Sequence, residues 1–257
     1  MIIETSIRGK NYKCNLNEPL DISVPLHPEG PRAWYVEKMK YEPIMNERFT
    51  GSVKLGGDVN FRNVFFNPHG HGTHTETVGH IDEEIVSINR TLKNFFFPCR
   101  LLTIDPKPYS GSDQEYRKRG DEIITRKALE NSFRDDFLEA IVIRSLPNSE
   151  EKLSKNYSNT NPAYFEPEAM EFLREKGIKH LLTDLPSVDR EIDGGKLLAH
   201  HAYWKSGRPS DKECTITEFV YVSDEIKDGL YLLNLQIASF ENDAAPSKPV
   251  LYKLLDS

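Results

Sequence analysis

The chain has 257 residues and a formal net charge of -7, from 33 Lys plus Arg against 40 Asp plus Glu. That length suits one sizeable core, and the acidic balance lacks the basic footprint of a general nucleic-acid binder. A mean hydropathy of -0.56, with no apolar run near the roughly 18 residues of a membrane span and no basic-then-apolar leader, points to a cytoplasmic chain with no membrane partner. Cys14, Cys99 and Cys214 are far apart and odd in number, which fits buried thiols in a reducing compartment better than a disulfide framework or a zinc knuckle.

In chain order, residues 2–7 and 12–16 read as two short strands around the Arg8-Gly9-Lys10 turn. Residues 22–48 are Pro-rich and irregular. Segments 52–55 and 59–61 alternate like strands across a Gly56-Gly57 turn. A strand at 99–105 precedes a short helix that starts at Thr125 and runs to about Ser132. Residues 139–144 form a short, strongly apolar strand, and the Asn/Ser-rich stretch 145–165 reads as a long surface loop. A helix opens with Pro167 in its first turn and is stopped by Gly177, and a strand follows at 178–183. The strand–helix–strand order favours an α/β sheet. A helix carrying Leu197, Leu198 and His200 and ending near Gly207 comes next, and strands at 214–222 and 230–240 close the fold. The expected organisation is a single domain over residues 1–257.

Four of the eight histidines fall within twelve residues, in Asn67-Pro-His-Gly-His-Gly-Thr-His-Thr-Glu-Thr-Val-Gly-His80. Pro68, Gly70 and Gly72 argue against a helix there. In an extended chain His74 and Glu76 project to the same side, and imidazole beside carboxylate is the ligand chemistry of zinc, manganese or iron. Two distal candidates follow. Of the helical pair His200-His201, at most one can serve a given site, because neighbours on a helix point about 100° apart. Glu218 alternates onto the face of Ile216 and Val220, where a carboxylate is costly unless paired or metal-bound; the alternative is an exposed edge position. No GxSxG or cysteine nucleophile arrangement is visible, which argues against a covalent acyl-enzyme.

These residues resemble the metal-dependent cyclase-like hydrolases, a family that includes bacterial kynurenine formamidase and isatin hydrolase. Gly72-Thr-His-Thr-Glu76 with His80 is similar to that family's HxGTHxDxPxH motif, and Asp21-Ile-Ser-Val-Pro-Leu-His27 to its opening strand. Ala140-Ile-Val-Ile-Arg-Ser145, Gly177 through Asp189, and Ala199-His200 with Gly207 and Glu218 are similar to three later motifs, in the same order. The resemblance implies a swivelling β/β/α cyclase-like α/β fold, a homodimer or homotetramer, and a divalent metal, zinc or manganese. It implies His74, Glu76, His200 and Glu218 as metal ligands and His80 as the proton shuttle. Trp34 is implied as a flat wall for substrate, against the plainer reading of core packing.

The chain departs from the motif in three places. Gly70 stands where the family has its first His, so a one-residue slip would bring in His69, preferred here over His71. Glu76 replaces the shorter Asp, and Val78 replaces a Pro. About five extra residues, around 208–214, separate Gly207 from the Glu218 strand. The implied activity is hydrolysis of an amide, formamide or cyclic amide of a small molecule, as in tryptophan catabolism, by metal-activated water. The competing reading is a non-catalytic descendant in which a degenerate metal site leaves a binding protein.

Overall fold

The computed structural model describes residues 1–134, 138–204 and 209–256. Nine strands carry the argument: β1 Ile2–Ile7, β2 Lys10–Asn15, β3 His74–Glu76, β4 Phe96–Ile104, β5 Ala140–Ser145, β6 His180–Thr183, β7 Thr215–Glu218, β8 Gly229–Ile237 and β9 Ala244–Asp256. Seven of them close on themselves in the order β9-β8-β4-β5-β6-β7-β3, and β3 returns to β9 through Ala244↔Glu76 and Pro246↔His74. β4, β5, β6 and β7 run parallel, and the other seams are antiparallel. The far end of β9 continues into the β1–β2 hairpin.

β5 sits in the middle of the parallel run and is buried on both faces, as its unbroken apolar sequence requires. Ile141 and Ile143 face the helices, while Ala140 and Val142 face the barrel interior. Three helices cover the outer face: α1 Arg126–Ser132, α2 Pro167–Glu175 and α3 Leu198–Tyr203. The Thr125 hydroxyl accepts from Ala128 N at 3.2 Å and starts α1. Pro167 opens α2, and Gly177, in the left-handed region at φ +83°, ends its last turn. Met170, Phe172, Leu173, Tyr203 and Trp204 join Leu181 and Ile216 in one buried cluster outside the barrel. Cys99, Leu101, Leu182, Leu233 and Leu251 fill the inside. All three cysteines are buried, and none is in a disulfide.

Several expectations shift. Val53–Leu55 is a single 3₁₀ turn ended by Gly56 at φ +92°, not a strand, and the strand expected at 59–61 begins only at Arg62. The 145–165 stretch is not all surface loop. Tyr157 is buried, and Tyr164–Phe165 pairs in parallel with Ile123–Ile124. α3 ends at Tyr203, short of Gly207, which lies outside the described residues. β7 stops at Glu218, because Phe219 turns left-handed at φ 55°. That turn sends Val220 into the barrel interior, so only Ile216 shares the face of Glu218. The longest strand, β9, was not anticipated. No helix among the described residues is long and apolar enough to cross a membrane.

Candidate metal centre

The β3–β7 seam builds half of the cluster. Its antiparallel register pairs His74 with Glu218 and Glu76 with Ile216. Directly opposed residues share a face, so His74, Glu76 and Glu218 all point outward from the barrel, toward the helix layer. Thr75 and Thr217 point inward and hydrogen-bond to each other at 2.7 Å. All three outward groups are buried: His74 is 0%, Glu76 1% and Glu218 3% exposed.

The remaining groups arrive from loops and from α3. The Asp189 carboxylate accepts from Ala199 N at 2.7 Å and His200 N at 3.1 Å, so it caps the start of α3. The same carboxylate takes the His200 Nδ1 proton at 2.6 Å, which leaves Nε2 facing Glu76 Oε1 at 3.1 Å. His69 is arranged in the same way. Its Nδ1 lies 2.9 Å from Glu76 Oε2, and its Nε2 lies 2.8 Å from Asp243 Oδ2. His80 closes a 3₁₀ turn started by Thr77, and its ring stacks on His69 with centroids 4.2 Å apart. Its Nε2 is 4.0 Å from Glu76 Oε2 and its Nδ1 3.7 Å from Asp243 Oδ2.

His69, His74, Glu76, His80, His200 and Glu218 thus come together around Glu76. His71 does not join them. Its Nδ1 accepts from Asn67 N at 2.9 Å and its Nε2 donates to the Glu37 carbonyl at 2.8 Å, so both nitrogens are engaged in holding the loop. Gly70 has a steric reason, since a Cβ there would meet Val36 Cγ2 at 2.8 Å. His201 is exposed on the far side of α3.

Sequence reasoning missed two carboxylates, Asp243 and the orienting role of Asp189. Asp189 lies inside a motif that the sequence displays, so its place was visible and its job was not. Asp243 reaches the cluster because its carbonyl accepts from Thr77 N at 3.0 Å, just before β9 pairs with β3. Nothing near it in sequence signals that arrangement.

The donor set suits a divalent cation. Three overlapping triads each gather their ligand atoms within 4.8 Å: His69–His74–Glu76, Glu76–His80–His200 and His69–His80–Asp243. His74 gives the sharpest indication. Its Nδ1 lies against the Gly72 carbonyl at 3.2 Å, so Nε2 is the nitrogen that faces the cluster. That Nε2 is buried, 3.4 Å from Glu218 Oε2, and has no hydrogen bond among the described residues. Buried polar atoms are seldom left so, and a cation between imidazole and carboxylate is the natural partner.

The electrostatics agree. Burial and the neighbouring Glu76 push the Glu218 carboxyl up. Burial opposes the charge on Glu76 as well, but His80, His200 and His69 outweigh it and hold Glu76 well below the usual carboxylate range. Burial likewise disfavours a charged His69, yet its hydrogen bonds to Asp243 and Glu76 raise it to about 10. Without another cation, these carboxylates draw their positive charge from the imidazoles.

The cluster forms the floor of a cavity of about 370 Å³ whose walls include Trp34, Val36, Arg190 and Leu197. Trp34 is half-buried, packing against the Ala33–Tyr157–Phe219 cluster while lining the cavity.

A closed mixed barrel with a buried His/carboxylate cluster on its outer face is the setting in which the relatives of this chain are informative. The sequence matches the cyclase family model over residues 20–190, and the chain belongs to that family. It is similar to the kynurenine formamidase of Bacillus cereus, 28% identical over 236 residues, covering 91% of this chain and 97% of the relative. The kynurenine formamidase of Bacillus mycoides is also 28% identical, over 90% of this chain and 96% of its own. Two solved structures share the fold. Isatin hydrolase A from Labrenzia aggregata superposes with a TM-score of 0.61 at 15% identity, covering 93% of this chain and 94% of that one. An isatin hydrolase bound to thioisatinate superposes with a TM-score of 0.61 at 14% identity, covering 93% of each chain.

Proposed function

We propose that this protein is a metal-dependent hydrolase of amide-type C–N bonds in a small molecule, a formamide or a cyclic amide. The observation that carries the reading is the buried His74 Nε2, without a hydrogen bond among the described residues and aimed at Glu218 across the β3–β7 seam. The kynurenine formamidases that match over nine-tenths of the chain support the substrate class.

His69, His74, Glu76, His200 and Glu218 would hold the cation, zinc or manganese. A divalent cation held this way polarises a carbonyl oxygen and lowers the pKa of water toward 7. The protein's own groups do the rest. Asp189 and Asp243 each hold one nitrogen of a ligating imidazole, which fixes the ring and directs its other nitrogen inward. His80 stands at the edge of the cavity, 31% exposed in its side chain, where it can carry a proton between attacking water and leaving nitrogen. As the C–N bond breaks, the electron pair stays on nitrogen and that nitrogen takes the proton. Trp34 offers a flat wall to the remainder of the substrate.

The test is metal analysis of purified protein together with hydrolysis of formamides and cyclic amides. One or two equivalents of divalent metal per chain, with EDTA-sensitive activity, is the expected result. A metal-free protein indifferent to EDTA would instead fit a non-catalytic binding descendant.

A further inference from the structure

Trp34, on the cavity wall, belongs to one of two neighbouring left-handed turns that contain no glycine. Trp34 and Tyr35 both adopt positive φ, at 58° and 59°, and so do Asn159 and Asn161, at 65° and 44°. Asn tolerates that region. A bulky aromatic residue does not, and such strain persists only where the surroundings over-determine it. Packing of Trp34 on the Ala33–Tyr157–Phe219 cluster is one support, and a carboxylate is another. Glu191 Oε1 accepts from the Tyr35 hydroxyl at 3.0 Å and from Asn159 N at 2.5 Å, and Oε2 accepts from Asn161 N at 2.8 Å. Tyr35 N in turn donates to Ser158 Oγ at 2.9 Å, which ties the two turns to each other. Trp34 and Glu191 both line the cavity.

We propose that Glu191 is a positioning residue: it ties the Trp34–Tyr35 turn to the 159–161 turn beside it and thereby fixes Trp34 on the cavity wall against the substrate. Three donors converge on its two oxygens. Because Glu191 follows Asp189 by two residues, one short segment sets both His200 on the floor and Trp34 on the wall. A neutral amide cannot replace it. Gln at 191 would present one acceptor oxygen and turn an NH₂ toward a donor. The clamp released, Trp34 would have to be ordered anew each time substrate binds.

The kinetic part rests on the hydrolase reading, so the test has an arm that does not. The chain has two tryptophans, and Trp204 is fully buried while Trp34 is half-buried, so acrylamide quenching reports mainly on Trp34. Glu191→Gln should make tryptophan fluorescence more quenchable, and this increase should vanish in the Trp34→Phe background. Tyr35→Phe, which removes one of the three bonds, should give a smaller increase in the same direction. Metal content should not change. With formanilide as a planar probe, KM should rise roughly 3–10-fold with kcat little altered, the cost of re-immobilising one large side chain. Unchanged quenching in Glu191→Gln overturns the clamp, and so does loss of metal, which would place Glu191 in support of the floor. If wild-type protein hydrolyses no amide, the hydrolase reading fails while quenching still decides the clamp.

Discussion

The two halves of the cluster are built by different means. His74, Glu76 and Glu218 stand on paired strands whose register leaves each side chain one direction to face. His69, His80 and His200 stand on turns or at a helix start, and their aim is set by carboxylates, Asp243 and Asp189. The strand half is rigid because the ladder is rigid. The loop half is only as well placed as its hydrogen bonds, which is why it needs orienting carboxylates that the strand half does without.

The comparison can be broken from the strand side first. His74→Ala should strip the metal and abolish activity together, read by metal analysis after purification; a variant that keeps full metal content would remove His74 from the ligand set. On the loop side, His80→Ala should keep its metal and lose roughly 10²–10⁴-fold in turnover, the usual share of general acid–base catalysis. Loss of metal would instead make His80 a ligand.

The orienting carboxylates should matter less and unequally. Asp189→Asn and Asp243→Asn should each weaken metal affinity by roughly 10–100-fold, measured by competition with a chelator. Asp189→Asn should also lower the melting temperature further than Asp243→Asn does, because that carboxylate caps α3 as well as holding its histidine. Equal melting temperatures would contradict the capping role.

The framework has its own pH dependence, separable from the site. His180 on β6 is buried, its Nδ1 against Thr215 Oγ1 at 2.9 Å and its ring 4.1 Å from that of Phe97. Burial lowers its pKa from 6.5 to about 4. The unfolded chain therefore binds the proton more readily than the folded one, and stability is complete above pH 6.5 and drains as pH falls toward 4. About 2 kcal/mol should be lost between pH 7 and pH 5, and His180→Leu should flatten that part of a urea-denaturation series. The smallest effect lies inside the barrel. Thr75→Val should cost about 1 kcal/mol by stranding the Thr217 hydroxyl, and adding Thr217→Val should recover most of it. A double variant no better than the single one would show that the hydroxyls do not depend on each other.

The strand half was legible because it obeys a period of two. The spacing of His74 and Glu76 and the alternation around Glu218 gave their faces directly, and the apolar run at 139–144 marked the barrel's central strand within one residue. Gly177 and Pro167 bounded α2 correctly for the same local reasons. Legibility ended where partners are distant. β9 is interrupted by Pro246 and Pro249, which demote a strand on local evidence, yet in the closed sheet it pairs with β8 and β3. With β9 unseen, Asp243 had no route to the histidines. The alternation at 52–55 misled because four residues cannot distinguish a strand from a 3₁₀ turn. The fate of Val220 depended on one left-handed residue, Phe219, which no pattern announces.

β9 is synthesised after every strand that it joins. While the nascent chain lengthens, β8 and β3 each carry an unsatisfied edge, and those edges meet their match only when residues 244–256 have appeared. Exposed edges on a half-made sheet invite pairing with other chains. The protein is therefore most vulnerable to misassembly just before residues 244–256 appear, with most of its barrel made and the seam beside its histidine cluster still open.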